Sequence, residues 1–328
     1  MILEASVVER SALYRVIAED FQSRFPGYHK SRQEGLVTLA SVMLEVRSAN
    51  LMELAAALPR EIGAAEHRYQ YIERQLANPA IEAKTVIRCY ALQVMERLSA
   101  QGQTIILQID QSQINDTNQV LMLSMRLCQR AVPVAWCVRS TQGNIGFSVQ
   151  KELLDSVRTW LPPNATVLLA GDRFYGTAQL IGWCQAAGWS YRIRLKGNLT
   201  LTHQGGELST GDVVTLLPKG AIDAELYGSG VTTNIGVLHE PGHKEAWIIA
   251  MNATPNRYTV LDYGMRWGIE NMFSDFKSRG FGLMQSQIQK PERLERLILI
   301  MSIALYWAIS CGMFDEHQAL TKGQKRGL

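Results

Sequence analysis

Tyr263, Arg266, Glu270 and Lys277 lie 3, 4 and 7 residues apart in the stretch YGMRWGIENMFSDFK. At about 100° per residue on a helix, they fall at roughly 0°, −60°, −20° and −40°. The spacing therefore predicts one polar stripe about 60° wide. Beside it, Met265, Ile269, Met272, Phe273 and Phe276 form an ordinary core face. Charged residues at helical spacing have a plain reading as solvated surface pairs. Aligned on one stripe, a phenol, a guanidinium, a carboxylate and an ammonium also suit a site for a metal ion and a phosphate backbone. Carboxylates elsewhere in the chain decide between the two readings.

Two such carboxylates are in place. Asp110 ends the apolar run TIILQID, and Asp172 ends TVLLAGD. Side chains at these points emerge where strands leave the core, and such strand ends line the functional crevice of open α/β sheets. A lone strand-end Asp is most often a turn former or a helix cap. Two of them, with a helical Glu flanked by Arg and Lys, are less simply explained that way. Mg²⁺ is a hard cation that takes oxygen ligands and keeps several waters, so one or two carboxylates per ion suffice. Two ions about 4 Å apart can activate the attacking oxygen and stabilise the leaving oxygen of a phosphodiester. Lys and Arg then hold phosphates, and aromatic rings stack on unpaired bases.

The elements that must position these groups follow from hydrophobic periodicity. Residues 1–100 read as helical, with EGLVTLASVMLEV, ANLMELAAAL and EHRYQYIERQL showing apolar residues at helical spacing. Ser48 is the expected N-cap and Pro59 the stop. Short helices in this arrangement form either a helix-turn-helix-like DNA-binding unit or a plain helical bundle. Twelve Lys/Arg balance twelve Asp/Glu there, with Arg24, His29, Lys30 and Arg32 as a local basic cluster.

From Thr104 the pattern becomes β-like. TIILQID, VLMLSMRL and VPVAWCVRS suggest three strands in an antiparallel meander. A helix ending at Pro162-Pro163, the strand TVLLAGD, a helix ending at Gly188 and the strand WSYRIRLK follow, an α/β order with a mixed sheet. Arg192, Arg194 and Lys196 alternate along that last strand and share a face that suits a DNA backbone or a charged sheet edge. Residues 197–245 are rich in Gly and Thr and read as a small β insertion. EAWIIAMN returns to the core, a helix is expected from Arg257 to Gly280, and a C-terminal helix starts near Pro291.

Composition sets the outer limits. The chain has 328 residues, 47% hydrophobic and 19% charged, with net charge +3, which permits a nucleic-acid partner without demanding one. Its five cysteines lack metal-site spacing and read as thiols in a reducing compartment. The N-terminus carries early acids and no apolar run, so no signal peptide is expected. Leu297 to Phe314 is uncharged over 18 residues, and its Ser and Gly content favours a buried core helix over a membrane span.

Asp110, Asp172 and Glu270, in strand–strand–helix order, resemble the DDE triad of RNase H-like transposases and integrases. Tyr263, Arg266, Glu270 and Lys277 match the Y-(2)-R-(3)-E-(6)-K signature of the bacterial insertion-sequence four family. The resemblance runs from about Ile105 to Ile309. It implies an RNase H-like mixed sheet flanked by helices, with an N-terminal all-helical domain and a β-rich insertion. The implied divisions are a DNA-binding domain at 1–100, a catalytic core at 101–196 and 246–314, the insertion at 197–245 and a flexible tail at 315–328.

By the same resemblance, Asp110, Asp172 and Glu270 hold two Mg²⁺ ions, with Mn²⁺ able to substitute. Tyr263, Arg266 and Lys277 contact DNA phosphates, and Trp247 either stacks on a flipped base or is a core aromatic. The implied activity is cleavage at terminal inverted repeats and 3′-OH strand transfer into target DNA, by a homodimer at synapsis in the bacterial cytoplasm or nucleoid, with no membrane role. A nuclease or resolvase without strand transfer, or a non-catalytic DNA-binding derivative, shares most of these features.

Overall fold

Apolar β-branched runs after Thr104 form strands, and the helical periodicity before it forms helices. The computed structural model describes residues 12–59, 62–217, 220–239 and 245–324. The first eleven residues and residues 325–328 of the expected tail lie outside the described residues. Two units separate by their internal contacts: Met1–Cys89 with Asp275–Leu328, and Tyr90–Ser274.

The first unit is helical: α1 (Ala12–Arg24), α2 (Lys30–Val46), α3 (Leu51–Ala57), α4 (Ala65–Ala77), the start of α5 (Ala83–Ala100), and the long α11 (Pro291–Gln324). Asn50, not the expected Ser48, caps α3 by accepting from the N–H groups of Met52 and Glu53. Ser48 is buried, and its hydroxyl accepts from the Asn50 N–H. Helix α11 is long and apolar enough to cross a membrane by length and composition. Yet the consecutive residues Leu297 to Met301 are all buried, so the helix is covered on every side there. Arg296 ties it down by donating to the Leu76 and Ile81 carbonyls at 2.9 and 3.1 Å. The helix continues to Gln324, through part of the stretch expected to be a tail.

The second unit is α/β, with one mixed ten-stranded sheet in the order β3-β2-β1-β4-β5-β10-β9-β8-β6-β7. Strands β1 (Ile105–Gln113), β2 (Asn118–Leu127) and β3 (Arg130–Ser140) form the expected antiparallel meander. After α6 (Phe147–Arg158), β4 (Val167–Gly171) pairs parallel to β1. After α7 (Ala178–Ala187), β5 (Ser190–Arg194) pairs parallel to β4. Every residue of β4 is buried, as expected of a strand with neighbours on both edges.

The insertion contributes β6 (Thr200–His203), β7 (Gly206–Ser209), α8 (Thr210–Leu216), β8 (Ala221–Leu226) and β9 (Thr232–Leu238). Its strands extend the main sheet, because β10 (Trp247–Met251) pairs with β5 on one edge and β9 on the other.

The segment expected as one helix from Arg257 to Gly280 is broken into four. These are α9 (Arg257–Leu261), a 3₁₀ turn (Asp262–Arg266), α10 (Trp267–Ser274) and a π turn (Asp275–Arg279). Asn256 and Thr259 form a capping box that starts α9. The break after it has a local cause. The Met265 carbonyl accepts side-chain donors from Gln108 at 2.5 Å and Arg126 at 3.2 Å, and donors inserted into a helical ladder interrupt it.

Candidate active site

Asp110 and Asp172 arrive through the central strands. Asp110 lies within β1, two residues after Gln108, so the two share a face of the sheet. Gln108 is fully buried and hydrogen-bonds Met265, which places Asp110 beside the segment carrying Arg266 and Glu270. Gly268 allows this approach: a Cβ there would stand 3.0 Å from Gln108 Nε2 and 3.4 Å from the Ala131 Cβ. Asp172 follows β4, whose residue Gly171 pairs with Ile109 of β1. Its carboxylate accepts from the Phe174 N–H at 2.8 Å, holding the turn.

Asp172 and Glu270 both act on Asp110 here. Burial, then the charge of Asp172, raises the Asp110 carboxyl to about 7, with Glu270 adding to the rise and Arg266 opposing it. Arg266 is buried, with its Nη1 3.5 Å from Asp110 Oδ2 and its Nη2 bonded to Glu270 Oε1. Its Nε donates to the Tyr263 hydroxyl at 3.1 Å. The 3₁₀ turn explains that bond, because residues three apart eclipse one another in such a turn. Burial opposes the Arg266 charge, yet Tyr263, Glu270 and Asp110 outweigh it and hold the group protonated.

The donor set fits a hard divalent cation. Two aspartates close enough for one to raise the other call for positive charge between them. A further group supports the fit: the Tyr175 hydroxyl is buried without a hydrogen-bond partner, and its phenol feels both Asp110 and Asp172. The sequence reading missed Tyr175, although its place three residues after Asp172 was a usable signal. Among the described residues no three His, Cys, Asp or Glu side chains already gather as a metal cluster, since Glu270 is turned to Arg266.

Residues 147–307 match the family model of the transposase DDE domain. The match supports a transposase, an enzyme that acts on DNA. It contains Asp172, Glu270 and the whole Tyr263–Lys277 stretch, and it begins after Asp110. No curated protein matches the chain.

Within the matched stretch the remaining expected residues separate into two groups. Arg192 does not face outward. It is buried, donates to the Thr259 and Tyr191 carbonyls at 2.8 Å each, and pairs with Asp262 at 3.2 Å. The cause is the segment from Arg257 onward, which covers that end of the β5 face. Arg194 and Lys196 instead line a cleft of about 630 Å³ with Arg173, Asn198 and Glu245. Glu245 pairs with Arg194 at 3.2 Å and Arg173 at 3.7 Å, and Lys196 sits 5.4 Å from the exposed Phe174 ring.

Trp247 is a core residue at 5% exposure, packed edge-on against Tyr263 and Trp267. The exposed ring of that stack is Trp267, at 45%. The sequence offered a signal for it, an aromatic next to Arg266 on the polar side of an amphipathic helix. Lys277 lies in the π turn, which belongs with the helical unit.

Proposed function

We propose that this protein is a DNA transposase of the insertion-sequence four type with an RNase H-like core. It would bind the terminal inverted repeats of its own element, cut there, and join the freed 3′-OH to target DNA. The observation that carries the reading is the convergence on Asp110: Asp172 and Glu270 act on its charge, and Arg266 bridges it to Glu270. The family match and the central strand order β3-β2-β1-β4-β5, with β4 and β5 parallel to β1, support it.

In this reading Asp110, Asp172 and Glu270 hold two Mg²⁺ ions, or Mn²⁺ in their place. When bound, the ions lower the pKa of an attacking water and stabilise the leaving oxygen. The chain supplies the rest. Burial of Asp110 in a poorly solvated wall strengthens each electrostatic contact at the reacting phosphate. Tyr263 fixes the Arg266 fork by accepting from its Nε, and the two Nη groups, once released from Asp110 and Glu270, would grip phosphate oxygens in a bidentate manner. Lys277 is proposed as a further phosphate contact. Arg173, Arg194 and Lys196 form a basic cleft for the DNA backbone, with Phe174 and Trp267 as exposed rings for unpaired bases. Arg192 and Trp247 serve as internal supports. Two DNA ends imply at least a dimer on DNA, acting in the bacterial cytoplasm.

The test is a cleavage and joining assay on the DNA flanking the reading frame, with Mg²⁺. The expected result is nicking at short inverted repeats and joining of the 3′ end to a plasmid. Normal cleavage by Glu270→Gln or Asp110→Asn overturns the ligand assignment. Cleavage without joining favours a nuclease or resolvase.

A further inference from the structure

Arg266 touches two of the three carboxylates at once. Its Nη1 lies 3.5 Å from Asp110 Oδ2, its Nη2 is bonded to Glu270 Oε1, and its Nε is fixed by Tyr263. The guanidinium is buried and stands between the Asp110 carboxyl and the half-exposed Glu270 carboxylate. A divalent ion bridging the same carboxylates would use the same lone pairs and neutralise the same charge. Guanidinium and ion therefore compete.

We propose that Arg266 is an internal stand-in cation, which holds Asp110 and Glu270 together and keeps divalent ions out until a phosphate draws the guanidinium away. This rests on the reading of Asp110, Asp172 and Glu270 as metal ligands. The consequence is reciprocal, as any coupling between two binding events must be. DNA phosphate that takes up the Arg266 fork strengthens the hold of the carboxylates on metal. Metal entry in turn frees a bidentate donor for phosphate. One side chain thus links loading of the site to the presence of DNA and disfavours a metal-charged site in the free protein.

The test is Mn²⁺ binding to the full chain without DNA, followed by the paramagnetic resonance of the free ion. Arg266→Gln removes the charge. Arg266→Lys keeps the charge but not the planar fork, and a lysine ammonium is a point charge that serves one carboxylate. The expected result is that both variants bind Mn²⁺ more tightly than the wild type, by between about five- and a hundred-fold. A short duplex of arbitrary sequence should tighten Mn²⁺ binding in the wild type and do so less in Arg266→Gln. If Arg266→Lys equals the wild type, the bridging role is overturned and only a diffuse charge effect remains.

Asp110→Asn separates the two levels of the claim. If it leaves Mn²⁺ binding unchanged, the metal-ligand reading itself falls. If it abolishes binding while Arg266→Lys matches the wild type, only the stand-in role falls. Thermal melting checks that each variant folds. Should either variant fail to fold, the wild type decides: Mn²⁺ should speed phenylglyoxal modification of Arg266, read by peptide mass mapping. Unchanged protection of Arg266 at saturating Mn²⁺ overturns the proposal.

Discussion

Gln108 Nε2 donates to the Met265 carbonyl at 2.5 Å across 157 residues of chain. This bond ties β1, which carries Asp110, to the turn that carries Arg266 and leads to Glu270. Gln108 Oε1 accepts in turn from the Ser124 hydroxyl at 2.9 Å, so a fully buried amide is satisfied at both ends. Replacing it by Gln108→Leu strands the Ser124 hydroxyl in the interior. A buried polar group left unpaired costs about 1–3 kcal/mol. The expected outcome is that loss of stability in denaturant melts, together with weaker Mn²⁺ binding as Asp110 and Glu270 lose their common anchor. A variant with unchanged stability would show that the tie is incidental.

Asp110 makes stability depend on pH in the direction opposite to that of a carboxylate whose pKa the fold lowers, because burial and Asp172 outweigh its ion pair with Arg266. Burial and then Asp172 raise it from the usual 3.8 to about 7. Between those values the folded chain holds a proton that the unfolded chain has released. Stability therefore falls as pH rises through that window and levels off above it. Metal-free melting temperatures should decline across the window in the wild type and decline less in Asp110→Asn. Mn²⁺ in alkaline buffer should restore the loss. Parallel curves for the two proteins would refute the assignment.

Tyr175 brings a buried hydroxyl with no partner to the two aspartates. Tyr175→Phe removes an unsatisfied group at nearly constant shape, so stability should rise by about 1 kcal/mol. Metal affinity should move the other way, falling on the order of ten-fold, as when an outer-shell partner is lost. Denaturant melts and Mn²⁺ titration read the two effects separately. If stability and affinity fall together, Tyr175 is a plain packing residue.

Arg192 and the pair Arg194–Lys196 should respond differently to mutation; Arg192 and Arg194 alternate on β5, whereas Lys196, expected on the same strand, lies two residues past its end. Asp262→Ala leaves the buried Arg192 cation without its carboxylate and should cost about 2–3 kcal/mol. The double variant Arg194→Ala/Lys196→Ala should leave stability within about 0.5 kcal/mol. It should weaken binding to arbitrary duplex DNA and reduce the log–log salt slope by about 2. Equal salt slopes in mutant and wild type would remove the cleft from the DNA surface.

Much of the architecture was legible because it depends on neighbours in sequence. Apolar, β-branched runs announced β1 to β5 with α6 and α7 between them, and the run ending in Asp172 put it just past β4. By contrast, β1 continues through the polar residues Gln111 to Gln113, so Asp110 lies inside its strand and not at the expected end. The spacing of Tyr263, Arg266 and Glu270 placed them on one helical segment, even though its first turn is 3₁₀. The uniform 100° stripe was not legible to its end. The pitch changes again at the π turn, so the phase assumed for Lys277 does not hold.

What only the tertiary structure decided is which polar groups other segments cover. Arg192 and Arg194 obey the same strand period, but the segment from Arg257 onward buries the first and leaves the second on the cleft. Trp247 and Trp267 are equally aromatic in sequence, and stacking on Tyr263 in the core sends one inward and leaves the other exposed. Gln108 and Tyr175 owe their roles to partners far away or missing, and no local pattern encodes either condition. Periodicity fixes which way a side chain leaves its own element. Burial, and the electrostatics that follow from it, depends on distant chain folding over that element.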